Sequence, residues 1–168
     1  MNIRRETLPD YAAIAEVNIL AFGQKNEAQL VNKIRDSDCY IPDLALVAEV
    51  DGVVVGHILF SYIDLVDEER LQVLGLAPMA VRPQFQRQGI GSKLVQTGLE
   101  IADAMGEAIV ILLGHPQFYS RFGFQPSVSY KIESPFEVPE DVFMVKPLKN
   151  YQEKYRGKVV YPPAFDEV

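Results

Sequence analysis

The chain has 168 residues, 48% hydrophobic and 23% charged, the proportions of a folded globular protein rather than a disordered one. Acidic residues number 23 against 16 basic ones, and the net charge of -7 disfavours nonspecific binding to nucleic acid or an anionic membrane. A single cysteine, Cys39, excludes an internal disulfide and a cysteine-built metal site, and no metal is expected. The length is that of one domain, the longest apolar run (108–113) is too short to span a bilayer, and no apolar stretch follows Met1–Glu6, which predicts the cytoplasm.

The elements alternate without repeats or linkers. Asn2–Glu6 reads as a short strand, and Thr7 with Asp10 three residues on reads as the start of a helix carrying Tyr11, Ile14, Val17 and Ala21 at helical spacing. Gly23 stops it, and a second helix is predicted over Glu27–Asp36 with Leu30, Val31 and Ile34 inward. From Leu44 β-branched residues dominate. Leu46–Val50 and Val53–Leu65 flank Asp51-Gly52, the signature of a tight hairpin, and a third strand is predicted over Leu71–Val81, with a bulge or interrupted edge at Pro78 because proline has no N–H for the ladder. A helix follows over Gly89–Met105, with Ile90, Leu94, Val95, Leu99, Ala102 and Met105 inward and Gly106 ending it. Ala108–Leu113 reads as a buried strand, Gln117–Phe122 as a short helix stopped by Gly123, and strands are expected within Phe124–Ser129 and Asp141–Pro147. The tail, from Asn150 through Val159-Val160-Tyr161-Pro162-Pro163, suits an edge strand or an extended arm.

One segment carries chemistry: a strand ending near Val81, the loop Arg82–Gln88, and a helix opening on Gly89-Ile90-Gly91-Ser92. The first-turn N–H groups of a helix have no intrahelical partner and lie at the positive end of its dipole, so they bind anions, and glycines let a diphosphate approach the backbone. Arg82, Arg87 and Lys93 add positive charge. A nucleoside-triphosphate loop needs Gly-Lys followed by Ser or Thr, whereas here the order is Gly91-Ser92-Lys93; a dinucleotide fingerprint needs a third glycine where Leu94 stands.

The run Gln86-Arg87-Gln88-Gly89-Ile90-Gly91 resembles the pyrophosphate motif, Gln/Arg-x-x-Gly-x-Gly/Ala, of the GNAT superfamily of N-acetyltransferases. Met79-Ala80-Val81 is similar to the end of that family's fourth strand, and Phe118-Tyr119-Ser120-Arg121-Phe122-Gly123-Phe124 to the segment that closes its site. The resemblance implies an α/β (α+β) fold with a mixed, mostly antiparallel central sheet and flanking helices, an N-acetyltransferase domain over 1–150 and a C-terminal extension, 151–168, packed on it. It implies acetyl-CoA as cosubstrate, held by Met79, Ala80, Val81, Gln86, Arg87, Gln88, Gly89, Ile90, Gly91 and Ser92. The Met79 N–H would face the thioester oxygen, and Tyr119 would be the general acid toward the coenzyme's sulfur, a role that suits a phenol with an ordinary pKa near ~10.

Gly75 and Ala77 carry no group that could act as the base some family members place on this strand; His57 and His115 are not assigned to catalysis, and water is the alternative relay. Asp36 and Asp38 disfavour a thiolate at Cys39, so direct transfer in a ternary complex is expected rather than an acetyl-cysteine route. The acceptor, a small-molecule or peptide amine, is expected over 22–36 and 127–141, where Glu27, Asp36, Asp38, Glu133, Glu137 and Glu140 either attract a cationic amine or serve as solubilising surface charge. A catalytically inactive acyl-CoA-binding sensor or partner module is the alternative function, and monomer and homodimer both stay open.

Overall fold

Long β-branched strands buried on both faces shape the molecule, and the computed structural model describes residues 1–166; of the expected extension, 167–168 lie outside the described residues. Strand β1 (Asn2–Arg5) is followed by the helices α1 (Tyr11–Phe22) and α2 (Asn26–Arg35), after which β2 (Tyr40–Val50), β3 (Val53–Val66) and β4 (Arg70–Val81) form an antiparallel meander with β1 paired to β2. Helix α3 (Ile90–Ala104) then crosses to β5 (Ile109–Leu113), which lies parallel to β4. After the short α4 (Pro116–Tyr119) come β6 (Gln125–Pro126), β7 (Ile132–Glu133), β8 (Phe143–Pro147) and β9 (Gly157–Val160), and the described strands join in one sheet with main order β1-β2-β3-β4-β5-β8-β6. The β4–β5 pair and the two-residue β7–β9 pair are parallel and the rest antiparallel, the mixed, mostly antiparallel sheet expected.

The strand alternation divides the core between two faces. Leu46, Ile58, Phe60 and Leu74 pack under Leu94 and Val95 of α3. On the opposite face Val47 and Leu59 meet Ile14, Val17, Val31 and Ile34 of α1 and α2, and Ile63, Leu65, Phe143 and Val159 continue that layer. Gly98 is the contact point of α3 with the sheet: a Cβ there would stand 2.2 Å from the Phe60 ring. Met105, expected inward, is exposed, because the helix turns off at that residue. The first helix also starts later than expected. Thr7 donates its N–H to the Asp10 carboxylate at 2.8 Å around a 3-10 turn, Leu8–Asp10, and α1 begins at Tyr11. The tail is a paired strand: β9 joins β3 through Asp64–Val66 and flanks β7.

Beneath α1 and α2 lies a buried polar cluster that periodicity does not reveal. The Glu6 carboxylate accepts from Arg35 Nε at 2.8 Å and Nη2 at 3.0 Å, from Tyr40 Oη at 2.7 Å, and faces His57 Nε2 at 3.2 Å. It thereby ties the first strand to the end of α2. Despite the burial that opposes ionisation, hydrogen bonds from His57, Arg35 and Tyr40 hold the Glu6 carboxyl down at about 2, while burial pushes the His57 imidazole below its ordinary value. Both groups bind fewer protons folded than unfolded, so stability must fall on acidification: from pH 6.5 downward as the unfolded chain's histidine charges, and from pH 4.5 toward 2 as Glu6 protonates. Urea midpoints between pH 8 and 3 test this. Glu6→Gln should cost about 3 kcal/mol at neutral pH by leaving buried Arg35 unpaired, and should flatten the pH dependence below about 4.5. A wild type equally stable across the range would contradict the assignment.

Candidate active site

The parting of β4 from β5 creates the site. Only Leu74 and Gly75 of β4 pair with β5, through Val110 and Ile111, so beyond Gly75 the strand has β3 on one side and no strand on the other. The ladder to β3 is interrupted: Ile58 faces Met79 and Phe60 faces Leu76, which sets Ala77 and Pro78 against Leu59 alone, the bulge expected at the proline. Past the bulge the Arg82 N–H donates to Val55 O at 2.8 Å. Main-chain groups alternate along a strand, so those of Ala80 turn toward β3 and those of Met79 and Val81 toward the opening. The Val81 carbonyl is capped there by Gln86 Nε2 at 3.0 Å.

Helix α3 opens beside this edge. Gly89 caps it with φ +86°, a conformation that favours glycine, and nothing stands within 4 Å of where its Cβ would be. The first helical bond runs from the Lys93 N–H to Gly89 O, which leaves the N–H groups of Ile90, Gly91 and Ser92 without an intrahelical partner. A Cβ on Gly91 would lie 3.3 Å from Met79 Cε, so helix and strand approach closely at that residue. Arg87 lies at the mouth. Arg82 does not join it, because its guanidinium bonds Val54 O and pairs with Glu16.

The facing wall is α4 and the turn after it. Tyr119 is 9% exposed, its ring edge-on to Phe118 at 4.9 Å and to Phe124 at 5.7 Å, and burial pushes its phenol up to about 12. Arg121 stacks over Phe118, 4.7 Å from the ring centroid.

Together these elements enclose a cleft of about 1620 Å³ running through the opening, with the start of α3 on one face of the sheet and Phe22, Glu27, Tyr161 and Phe165 on the other. The volume exceeds the roughly 300–1,000 Å³ of ordinary small-molecule pockets. Met79, Ala80, Val81, Gln86, Arg87, Gly89, Ile90, Gly91, Ser92 and Tyr119 all line it. Gln88 does not, since its side chain turns back to Gln84 O. His115 lines the cleft, whereas His57 faces Glu6 within the core and Cys39 lies outside the lining. Of the six carboxylates expected over the acceptor surface only Glu27 reaches it. Phe22 and Phe136 lie within the stretches expected over the acceptor, whereas sequence reasoning missed Tyr161 and Phe165, whose only signal is an aromatic and proline density after the last strand.

An open-edged strand running into a glycine-led helix, opposite a buried tyrosine, is the arrangement that the resemblance to the GNAT acetyltransferases implies. Residues 42–126 match the family model for the acetyltransferase (GNAT) domain. The chain is 38% identical over 134 residues to the uncharacterised N-acetyltransferase YjhQ of Escherichia coli strain K12, covering 79% of this chain and 74% of that one. It is 36% identical over 146 residues, 86% of each chain, to the uncharacterised N-acetyltransferase YhbS of the same strain. The crystal structure of YhbS from E. coli in complex with CoA superposes with a TM-score of 0.90 over 99% of this chain and 92% of that one, at 33% identity. A GNAT family acetyltransferase from Brucella melitensis in complex with acetyl-CoA gives 0.80 over 98% and 97%, at 32% identity. The chain belongs to the GNAT family of N-acetyltransferases and is an acyltransferase enzyme. Among the described residues no helix is long and apolar enough to cross a membrane.

Gly114, at the end of β5, sets the depth of Tyr119. A Cβ there would stand 2.6 Å from Tyr119 Cε2 and 2.9 Å from Cδ2, and Phe118 and Phe124 flank the ring. Gly114→Ala should therefore cost roughly 1–3 kcal/mol and alter the near-ultraviolet circular dichroism of the tyrosines. An unchanged melting temperature and spectrum would mean that the ring shifts freely.

Proposed function

We propose that the enzyme transfers the acetyl group of acetyl-CoA directly to a primary amine within a ternary complex. The observation that carries this reading is one cleft in which the free N–H groups of α3, the open edge of β4 and the Tyr119 phenol converge. The relatives that hold CoA or acetyl-CoA in crystals support the choice of donor.

When bound, the coenzyme supplies an acetyl thioester; the chain holds and polarises it. The N–H groups of Ile90, Gly91 and Ser92, with Arg87 beside them, suit a diphosphate, and the openness at Gly89 leaves it room. The outward main-chain groups of Met79 and the Val81 N–H are free to pair with an extended amide-bearing arm, as an added strand pairs with a sheet edge. The Met79 N–H suits the carbonyl oxygen, where a fixed donor stabilises developing negative charge without reorganisation. As the nitrogen–carbon bond forms and the carbon–sulfur bond breaks, the nitrogen loses a proton and the sulfur takes one. Tyr119 is the donor to sulfur, because burial keeps it protonated to about pH 12. No titratable side chain of β4 stands at the opening, and water reaching the cleft serves to remove the amine's proton. Direct transfer is favoured because Cys39 lies outside the cleft.

Two measurements test the reading. Calorimetric titration should show binding of CoA and acetyl-CoA but not of ATP or NAD, and Gly89→Glu, which sets a carboxylate among the free N–H groups, should abolish it. Tyr119→Phe should lower kcat about a hundredfold with little change in coenzyme affinity. A variant with full turnover would remove Tyr119 as the acid, and wild-type binding by Gly89→Glu would remove the proposed diphosphate site.

A further inference from the structure

Among the described residues the acceptor end of the cleft is built more from aromatic rings than from carboxylates, and we infer that the enzyme's acceptor is a primary amine carried on an aromatic body, an arylalkylamine, rather than a polycation. The inference rests on the acetyl-transfer reading and specifies its second substrate.

The two faces of the sheet separate donor and acceptor. Helix α3 and its free N–H groups lie on the face packed by Leu94 and Val95. The other face carries α1, α2 and the tail, whose Phe165 packs against their cluster and whose Asp166 carbonyl accepts from Lys33 Nζ at 3.0 Å. Where the cleft opens on that second face, Phe136, Tyr161 and Phe165 form a continuous wall. Tyr161 lies 5.6 Å from Phe136 at 32° and 4.9 Å from Phe165 at 48°, measured between ring centroids and planes. Phe136 is 45% and Phe22 42% exposed, so both present apolar surface to the opening. An aromatic ring entering there gains apolar contact and offset or edge-on stacking, together worth more than area burial alone.

Charge argues the same way. Among the described residues the lining carboxylates are Glu27 and Asp166, set against Arg87, Arg121 and Lys158, so these residues offer no row of acids to a polyamine. Asp36, Asp38, Glu133, Glu137 and Glu140 stand outside it, exposed, where they solubilise. Glu27, at the start of α2 and bonded by Gln24, is one carboxylate for one ammonium. The amine nitrogen forms its bond to the acetyl carbon while the carbon–sulfur bond breaks, its proton passing to water and the sulfur gaining one from the Tyr119 phenol.

Steady-state kinetics with acetyl-CoA and either 2-phenylethylamine or spermidine test the inference, with acetyl-CoA binding followed by calorimetry on the same samples. The expected kcat/KM for phenylethylamine exceeds that for spermidine by about tenfold or more, the discrimination a hydrophobic pocket achieves. Phe136→Ala should collapse the ratio, acting through KM for the aromatic amine, and Phe136→Leu should restore part of it. Phe22→Ala, across the opening, should act in the same direction. Equal or better use of spermidine, or a ratio untouched by both alanine variants, would overturn the inference. So would acetyl-CoA binding without acetylation of either amine, which leaves the coenzyme site standing. Loss of coenzyme binding in the wild type would overturn both readings together.

Discussion

Everything functional in this enzyme hangs on a sheet that fails to close. Parallel pairing between β4 and β5 lasts two residues, Leu74 and Gly75, and past the bulge at Ala77 and Pro78 the remainder of β4 pairs with β3 alone. An unpaired strand edge inside a folded domain is normally a liability, with main-chain donors and acceptors left without partners. Here the edge stays wet and accessible because the wall opposite is short helix and turn rather than strand. The same parting aims Met79 and Val81 at the opening, admits Tyr119 from across it, and lets the start of α3 stand beside the exposed main chain.

The electrostatics of the opening owe more to backbone than to side chains. In a chain of net charge -7, the proposed anion site is made from helix N–H groups whose partial charges are fixed in place, and of the three cations near it in sequence only Arg87 lines the cleft, while Lys93 stands outside the lining and Arg82 is held by Val54 and Glu16. Tyr119 follows the same economy. Its pKa rises through burial alone, with no charged neighbour required, so the proton it carries at neutral pH is a consequence of where α4 packs. Glu6, Arg35, Tyr40 and His57 fix the position of α2 from the opposite side, and α2 carries Glu27 and Leu30 into the lining.

Much of this was legible in the sequence where a residue's local chemistry is decisive. Pro78 announced the bulge, Asp51-Gly52 the hairpin, and Gly89 with Gly91 the helix start, because each of these residues restricts backbone geometry on its own. What depends on distant pairing was not legible. Nothing near Glu6 signals that Arg35 and His57 will converge on it, and for the tail the sequence leaves an edge strand and an extended arm both open, a choice that the pairing of Val159 with Leu65 decides. For Glu133, Glu137 and Glu140 the sequence offers attraction of an amine or solubilising surface charge, and their exposed places outside the cleft fit the second. Gln88 sits inside the recognisable motif yet bends back to Gln84, because φ +64° at Arg87 turns the chain between them.

The division between legible and hidden residues follows the division of labour in the cleft. All the residues attributed to the coenzyme, and Tyr119 with them, fall within 42–126, the stretch that matches the family model. Phe22, Glu27, Phe136, Tyr161 and Phe165 fall outside it, at the end of α1, at the start of α2 and in the chain after β6. Chemistry common to a family needs fixed main-chain geometry, and fixed geometry leaves glycines, prolines and spacing as its mark. Recognition of a second substrate needs only surface of the right shape, which loops and tails supply from residues far apart in the chain and held together by packing. The proposed acceptor wall is therefore the part of this enzyme that only the folded structure assembles, and Lys33 joining Asp166 to α2 is one of the contacts that assembles it.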